Sequence, residues 1–205
     1  MITIVDYGIG NLGAIVNMLE YLGFDAATTA DPKEISIASK LILPGVGAFD
    51  RGMQNLRRSG LIEPLEEAVL DRTVPVLGLC LGMQLLGRGS EEGNGEKGLG
   101  WIAASTVRFD WAVEQGLKVP HVGWNSVLPA PGNALFASGA PQPRFYFVHS
   151  YHMRCDDDGH VAATCNYGRD FCCAVSHGNI HGVQFHPEKS HKHGMALLKT
   201  FAEWN

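Results

Sequence analysis

The chain has 205 residues, with 16 Lys and Arg against 21 Asp and Glu, for a formal net charge of −5. That length suits one domain, and 45% hydrophobic residues place it among globular chains rather than disordered or low-complexity ones. The mild negative charge, without a basic stripe, argues against a nucleic-acid partner, which would need clustered cations to neutralise phosphates. No apolar run approaches the ~18 residues of a membrane span, and Met1–Asp6 lacks the basic and long apolar regions of a leader. Five cysteines (Cys80, Cys155, Cys165, Cys172, Cys173) at irregular spacing argue against a disulfide framework. A soluble, cytoplasmic protein with no membrane association is expected.

Residues 2–5 form a short β-rich run that ends at Asp6-Tyr7-Gly8. Leu12, Ile15, Val16, Leu19 and Leu22 follow as the stripe of an amphipathic helix, with Gly23 just past its end. A second strand near 24–29 leads into Asp31-Pro32, a helix-start signal. Leu41-Ile42-Leu43 is an apolar strand stopped by Pro44-Gly45-Val46-Gly47. Leu61, Ile62, Leu65, Ala68 and Val69 mark a helix. Val74–Leu79 is the next buried strand, and Met83, Leu85 and Leu86 continue it as a helix. Apolar strands separated by helices predict an α/β domain spanning 1–205, with a mostly parallel central sheet flanked by helices. Beyond residue 100, candidate strands at 101–109, 144–149, 161–166, 171–176 and 180–185 are spaced by turns and predict an antiparallel extension. A surface loop is expected around Pro129–Gly132, and a last helix over 191–204.

Three segments carry chemistry. Gly78-Leu79-Cys80-Leu81-Gly82 sits where a strand ends and a helix begins, the form of a nucleophile elbow with cysteine as the nucleophile. The helix start would favour a thiolate at Cys80, and the Leu81 N–H would point at a developing oxyanion. The bland reading is a buried cysteine in a glycine-rich turn. His186-Pro187-Glu188 follows the strand Gly182–Phe185. Proline is expected to hold that segment extended, so that His186 and Glu188 face the same way as base and orienting carboxylate. Alone it reads as a surface histidine beside a glutamate; with the elbow it completes a Cys–His–carboxylate set for acyl transfer. Pro44–Phe49 ends the third strand with glycines that leave backbone N–H groups unobstructed, either a second oxyanion donor or an ordinary tight turn.

Gly78–Gln84, the Pro-Gly-Val-Gly-Ala-Phe loop and Gln184–Ser190 together resemble the class I glutamine amidotransferases, whose fold is flavodoxin-like. Val5–Asn11, Pro120–Asn125 and Tyr146–Tyr151 extend the likeness toward the glutaminase subunits of imidazole glycerol phosphate synthases. The resemblance runs from residue 2 to the last helix. It implies a thioester mechanism: Cys80 attacks the glutamine carboxamide, His186 oriented by Glu188 protonates the departing ammonia, and water releases glutamate, with no cofactor. It also implies that Gln84 and backbone around Gly45, Val46, Gly47, Ser150 and Tyr151 hold the substrate or the oxyanion. The resemblance further implies that the loop completes the oxyanion hole only once the partner is engaged. That partner is a (β/α)8-barrel cyclase of histidine biosynthesis, which receives the ammonia in a heterodimer. Pro120, His121, Gly123, Trp124 and Asn125 resemble the interface segment, with Trp124 either a partner anchor or a core tryptophan. His191–Ala196 and Val107–Phe109 suit equally a related paralogue that supplies ammonia to an acetamidino-sugar amidotransferase of surface polysaccharides.

Other readings compete. Gly8-Ile9-Gly10-Asn11-Leu12-Gly13, with Asp31 about twenty residues on, has the form of a dinucleotide fingerprint, but no hydride-transfer site accompanies it. The pairs His149/His152, His181/His186 and His191/His193 match no recognised zinc spacing, and Cys172 and Cys173 should face opposite sides of a strand, so no metal is expected. Another cysteine-elbow α/β hydrolase would lack the distant His-Pro-Glu, and a non-catalytic binding subunit would have lost the cysteine or histidine.

Overall fold

A computed structural model describes residues 1–136 and 142–204. The apolar runs of the first half become strands β1 (Ile2–Val5), β2 (Ala26–Thr29), β3 (Leu41–Leu43) and β4 (Val76–Leu79), joined late in the chain by β11 (Ile180–Val183). These five lie in parallel in the order β2-β1-β3-β4-β11. Alternation along each strand sends Val5, Leu41, Leu43 and Val76 into one core and Ile2, Ile4, Ile42 and Leu77 into the other, so both faces are covered.

The connecting helices are α1 (Leu12–Tyr21), α2 (Pro32–Ser36), α3 (Phe49–Arg58), α4 (Ile62–Glu66, continued by a wider turn to Asp71) and α5 (Leu81–Leu85). Gly23, at φ +86°, takes the left-handed position that ends α1. Asp31 accepts the Lys33 N–H at 2.9 Å as the cap of α2. The acid that a dinucleotide reading would need is therefore spent on a helix start.

The antiparallel part is larger than the sequence suggests: among the described residues it takes six of eleven strands. They are β5 (Ala104–Arg108), β6 (His121–Pro129), β7 (Arg144–His149), β8 (Tyr151–Cys155), β9 (Val161–Tyr167) and β10 (Arg169–His177). From β11 the sheet continues β10-β9-β6-β7, while β8 pairs with both β10 and β5. Strand β6 pairs with β7 over His121–Ser126 and then with β9 over Val127–Pro129. The short α6 (Asp110–Glu114) precedes β6, and α7 (His191–Ala202) closes the fold. Cys172 and Cys173 do enter opposite cores, and all five cysteines are free thiols. No helix among the described residues is long and apolar enough to cross a membrane.

Candidate active site

The site follows from strand order. β3, β4 and β11 are parallel neighbours, so the segments leaving their carboxyl ends meet at one edge of the sheet, where open α/β sheets place their ligands. Those segments are Pro44–Gly47 after β3, Cys80 after β4 and His186 after β11.

Cys80 sits at φ +51°, a strained value for a residue with a side chain, held by its N–H on the Val183 carbonyl at 2.8 Å. The elbow needs its glycines. A Cβ on Gly78 would lie 2.7 Å from the Met83 nitrogen, and one on Gly82 would overlap the Leu43 carbonyl. His186 Nδ1 lies 2.8 Å from Glu188 Oε1, and both side chains are almost fully buried. The His186 Nε2 and the second Glu188 oxygen have no hydrogen-bond partner. Burial favours the neutral ring, but Cys80 and Glu188 outweigh it and hold the His186 pKa up at about 9.

The pair arises differently from the extended arrangement expected. Pro187–Lys189 form a tight helical turn, capped at His186. Ser190 braces it, its hydroxyl donating to the His186 carbonyl at 2.5 Å and accepting the Tyr146 N–H at 3.0 Å. Proline fixes φ near −65°, which serves the first position of a helical turn as well as an extended segment.

An open cavity of about 580 Å³ runs past these groups, lined among others by Val46, Gly47, Cys80, Leu81, Gln84, Ser150, Tyr151 and His186. Gly45, also expected at the site, is buried and does not line the cavity. The Leu81 N–H, expected to face an oxyanion, donates instead to the Gly45 carbonyl at 3.3 Å. The Tyr7 hydroxyl donates to the Pro44 carbonyl at 2.6 Å and packs against Gly45, where a Cβ would lie 2.7 Å from it. Burial and the neighbouring Cys80 push that phenol pKa above its ordinary range.

Three further side chains escaped the sequence reading. Gln184 is buried, accepts from Gln84 Nε2 at 2.9 Å and donates toward the Cys80 sulfur at 3.6 Å. It lies inside the Gln-Phe-His-Pro-Glu run, where only the histidine and glutamate carry a chemical signal in the sequence. Glu92 and Lys189 give the cavity one carboxylate and one ammonium. Glu92 accepts the Phe49 N–H at 3.0 Å, and burial raises its pKa despite that bond.

The 120–125 segment divides. Pro120 lines the cavity, and Trp124 is 40% exposed, stacked on His191 with ring centres 5.4 Å apart. This excludes the core-tryptophan alternative. Val122 and Val148 pair across β6 and β7 beside it, and Val148 with the exposed Val46 gives the cavity an apolar edge. Gly123, at φ +131°, and Asn125 lie on the same strand, both half-buried. His121 does not belong on that surface. It is 3% exposed, because the strand turns its ring inward against Phe147 and Tyr167.

A model of the family described as "Glutamine amidotransferase class-I" matches residues 3–204. The chain belongs to the class I glutamine amidotransferases. This amidotransferase is 50% identical over 203 residues to "Imidazole glycerol phosphate synthase subunit HisH 2" of Pseudomonas aeruginosa, covering 99% of each chain. It is 52% identical over 201 residues to the HisH 2 subunit of Methanococcus maripaludis, covering 98% of each. With the HisH subunit of Leptospira interrogans the identity is 46% over 203 residues, 98% of this chain and 99% of that one. In fold it is similar to a solved structure described as a glutamine amidotransferase, with TM-score 0.75 at 19% identity, covering 98% of this chain and 97% of that one. Among the described residues no three His, Cys, Asp or Glu side chains gather as a metal site.

Proposed function

We propose that the chain, as one amidotransferase domain over 1–205, hydrolyses L-glutamine as the glutaminase subunit of an imidazole glycerol phosphate synthase and passes the ammonia to a cyclase subunit. The observation that carries this reading is the convergence of Cys80 and the His186–Glu188 pair on one cavity in a chain about half identical, end to end, to HisH subunits.

In this mechanism Cys80, as thiolate, attacks the carboxamide carbon of glutamine, and the carbonyl electrons move to oxygen. As the C–N bond breaks, His186 gives its Nε2 proton to the leaving nitrogen, so ammonia departs and a glutamyl thioester remains. Water then attacks that thioester, with neutral His186 taking its proton, and glutamate leaves with the thiolate restored. Glutamine and water balance both steps, so no cofactor is called for. Glu188 keeps the ring oriented and its charged form favoured. Glu92 fits the α-ammonium of glutamine and Lys189 its α-carboxylate, while Gln84, Ser150 and Tyr151 fit its flanks.

The oxyanion would need the Leu81 N–H, now engaged by Gly45. Rotating the Gly45–Val46 peptide would withdraw that carbonyl and present the Val46 N–H in its place, giving two donors to the oxyanion. The exposed Val46 and Val148 at the cavity, with Val122 and Trp124 along strand β6, fit a partner seated over the mouth, where it could drive that rotation. We assign that partner to the (β/α)8-barrel cyclase and the activity to the cytoplasm.

A second reading keeps the glutaminase and changes the acceptor: two relatives, at 50% and 52% identity, both carry a numeral in their name, HisH 2. In it the ammonia serves a sugar amidotransferase. Glutamate release measured alone, with the cyclase and with the sugar enzyme separates the two. Strong stimulation by the cyclase is the expected outcome; stimulation by the sugar enzyme alone moves the chain to the second reading.

A further inference from the structure

Against the cavity, which His149 helps to line, lies a group of histidines that the hydrolysis does not use. Asn125 on β6 approaches His121 Nε2 through its side-chain nitrogen at 3.4 Å, and His121 Nδ1 lies 3.0 Å from His149 Nε2. His149 Nδ1 lies 2.7 Å from the Tyr151 carbonyl, to which Gln84 Nε2 also points at 3.5 Å.

Both ends of this row fix its proton positions. The Tyr151 carbonyl can only accept, so His149 Nδ1 carries a hydrogen and its Nε2, in the neutral ring, accepts. His121 Nδ1 must then donate, which leaves His121 Nε2 as acceptor for the Asn125 amide. That amide is itself oriented, because its nitrogen donates to the Asn166 carbonyl at 2.8 Å and its oxygen accepts the Ser126 N–H at 2.8 Å. Burial lowers the His149 pKa to about 3 and the His121 pKa to about 4, so both rings are neutral, as the row requires. Aromatic contacts hold the ring planes: His121 stacks on Tyr167 at 4.2 Å, and Phe109 meets His149 edge-on at 5.0 Å.

We propose that His121 and His149 are positioning residues for the glutamine pocket, a one-way hydrogen-bonded row that ties the Tyr151 carbonyl, and with it Gln84, to the strand whose outer face carries Trp124. The proposal rests on the glutaminase reading for the ligand, and on geometry alone for the row. It explains why a histidine sits buried in a segment whose neighbours face outward. It also keeps an uncharged ring next to His186, whose protonated form the mechanism needs.

Two readouts test it. Nitrogen-15 spectra of the full chain with labelled histidine should show Nδ1 as the protonated nitrogen of both rings at neutral pH. A ring protonated on Nε2, or on both nitrogens, overturns the row. Glutamine affinity is then measured by calorimetry in the Cys80→Ala chain, where the ligand cannot turn over. His121→Leu should weaken glutamine about tenfold, the value of one net hydrogen bond. His121→Asn, whose amide can donate where Nδ1 did, should stay within about twofold of the parent. Equal weakening by both variants, or by neither, overturns the positioning role. If Cys80→Ala binds no glutamine at all, the glutaminase reading fails, and the ring protonation still decides the row.

Discussion

Replacing Glu188 by Gln removes a charge and little volume, and the structure gives the size of its effect. The His186 ring, ordinarily near 6.5, is held at about 9 against a burial that opposes it. At about 1.36 kcal/mol per pH unit, that difference is worth ~3 kcal/mol in favour of the charged ring, shared between Cys80 and Glu188. Losing the carboxylate should return roughly half, moving the pKa down by about one to two pH units. Since the ring must be protonated when ammonia leaves, activity persists below the folded pKa and is lost as pH rises through it. The assay is kcat/KM for glutamate release between pH 6 and 10, with partner saturating. The wild-type alkaline limb should fall near pH 9. In Glu188→Gln it should fall between about 7 and 8, with a roughly tenfold deficit at pH 8.5. The same linkage bears on stability: a raised histidine pKa stabilises the fold fully below about 6.5 and ceases to do so as pH passes 9. An alkaline limb that stays at 9 in Glu188→Gln would refute the assignment of that carboxylate.

Gly45→Ala places a Cβ 2.7 Å from the Tyr7 hydroxyl and 2.8 Å from the Leu81 Cβ, so about 2–3 kcal/mol of stability should be lost. Thermal unfolding should show a Tm lower by roughly 4–10 °C. Tyr7→Phe frees the Pro44 carbonyl and loosens the loop that occupies the Leu81 N–H; unstimulated glutaminase should rise several-fold while the partner-stimulated rate holds, read by glutamate release. Trp124→Ala should leave stability within about 0.5 kcal/mol, because the ring is exposed, yet weaken partner binding by ~2 kcal/mol in a titration.

The elbow was legible because its physics is local: an apolar strand, a cysteine between two glycines, and backbone too close at both glycines for any side chain. Asp31-Pro32 and Gly23 were legible for the same reason. His186 and Glu188 were found, but the route between them was not, since proline suits two backbones and Ser190, which chooses between them, acts across the fold. β6 and β8 were missed as strands because their burial does not alternate cleanly; β6 changes partners midway and carries Gly123. Of helix α3 only the solvated Arg57-Arg58 face is legible in the sequence, and its start is obscured with Gly52 inside it. A Cβ there would lie 3.0 Å from a Leu81 methyl, so the glycine is where helix and elbow pack. The inward turn of His121 and the capture of the Leu81 N–H by Gly45 are tertiary facts, with no local signal to announce them.

The most direct test of the account follows glutamate release by the wild-type chain and by Cys80→Ala in parallel with mass spectrometry of acid-quenched enzyme. The account predicts release by the wild type, a glutamyl adduct on the peptide bearing Cys80, and neither in Cys80→Ala. Release that persists without Cys80, or an adduct on another residue, would contradict it.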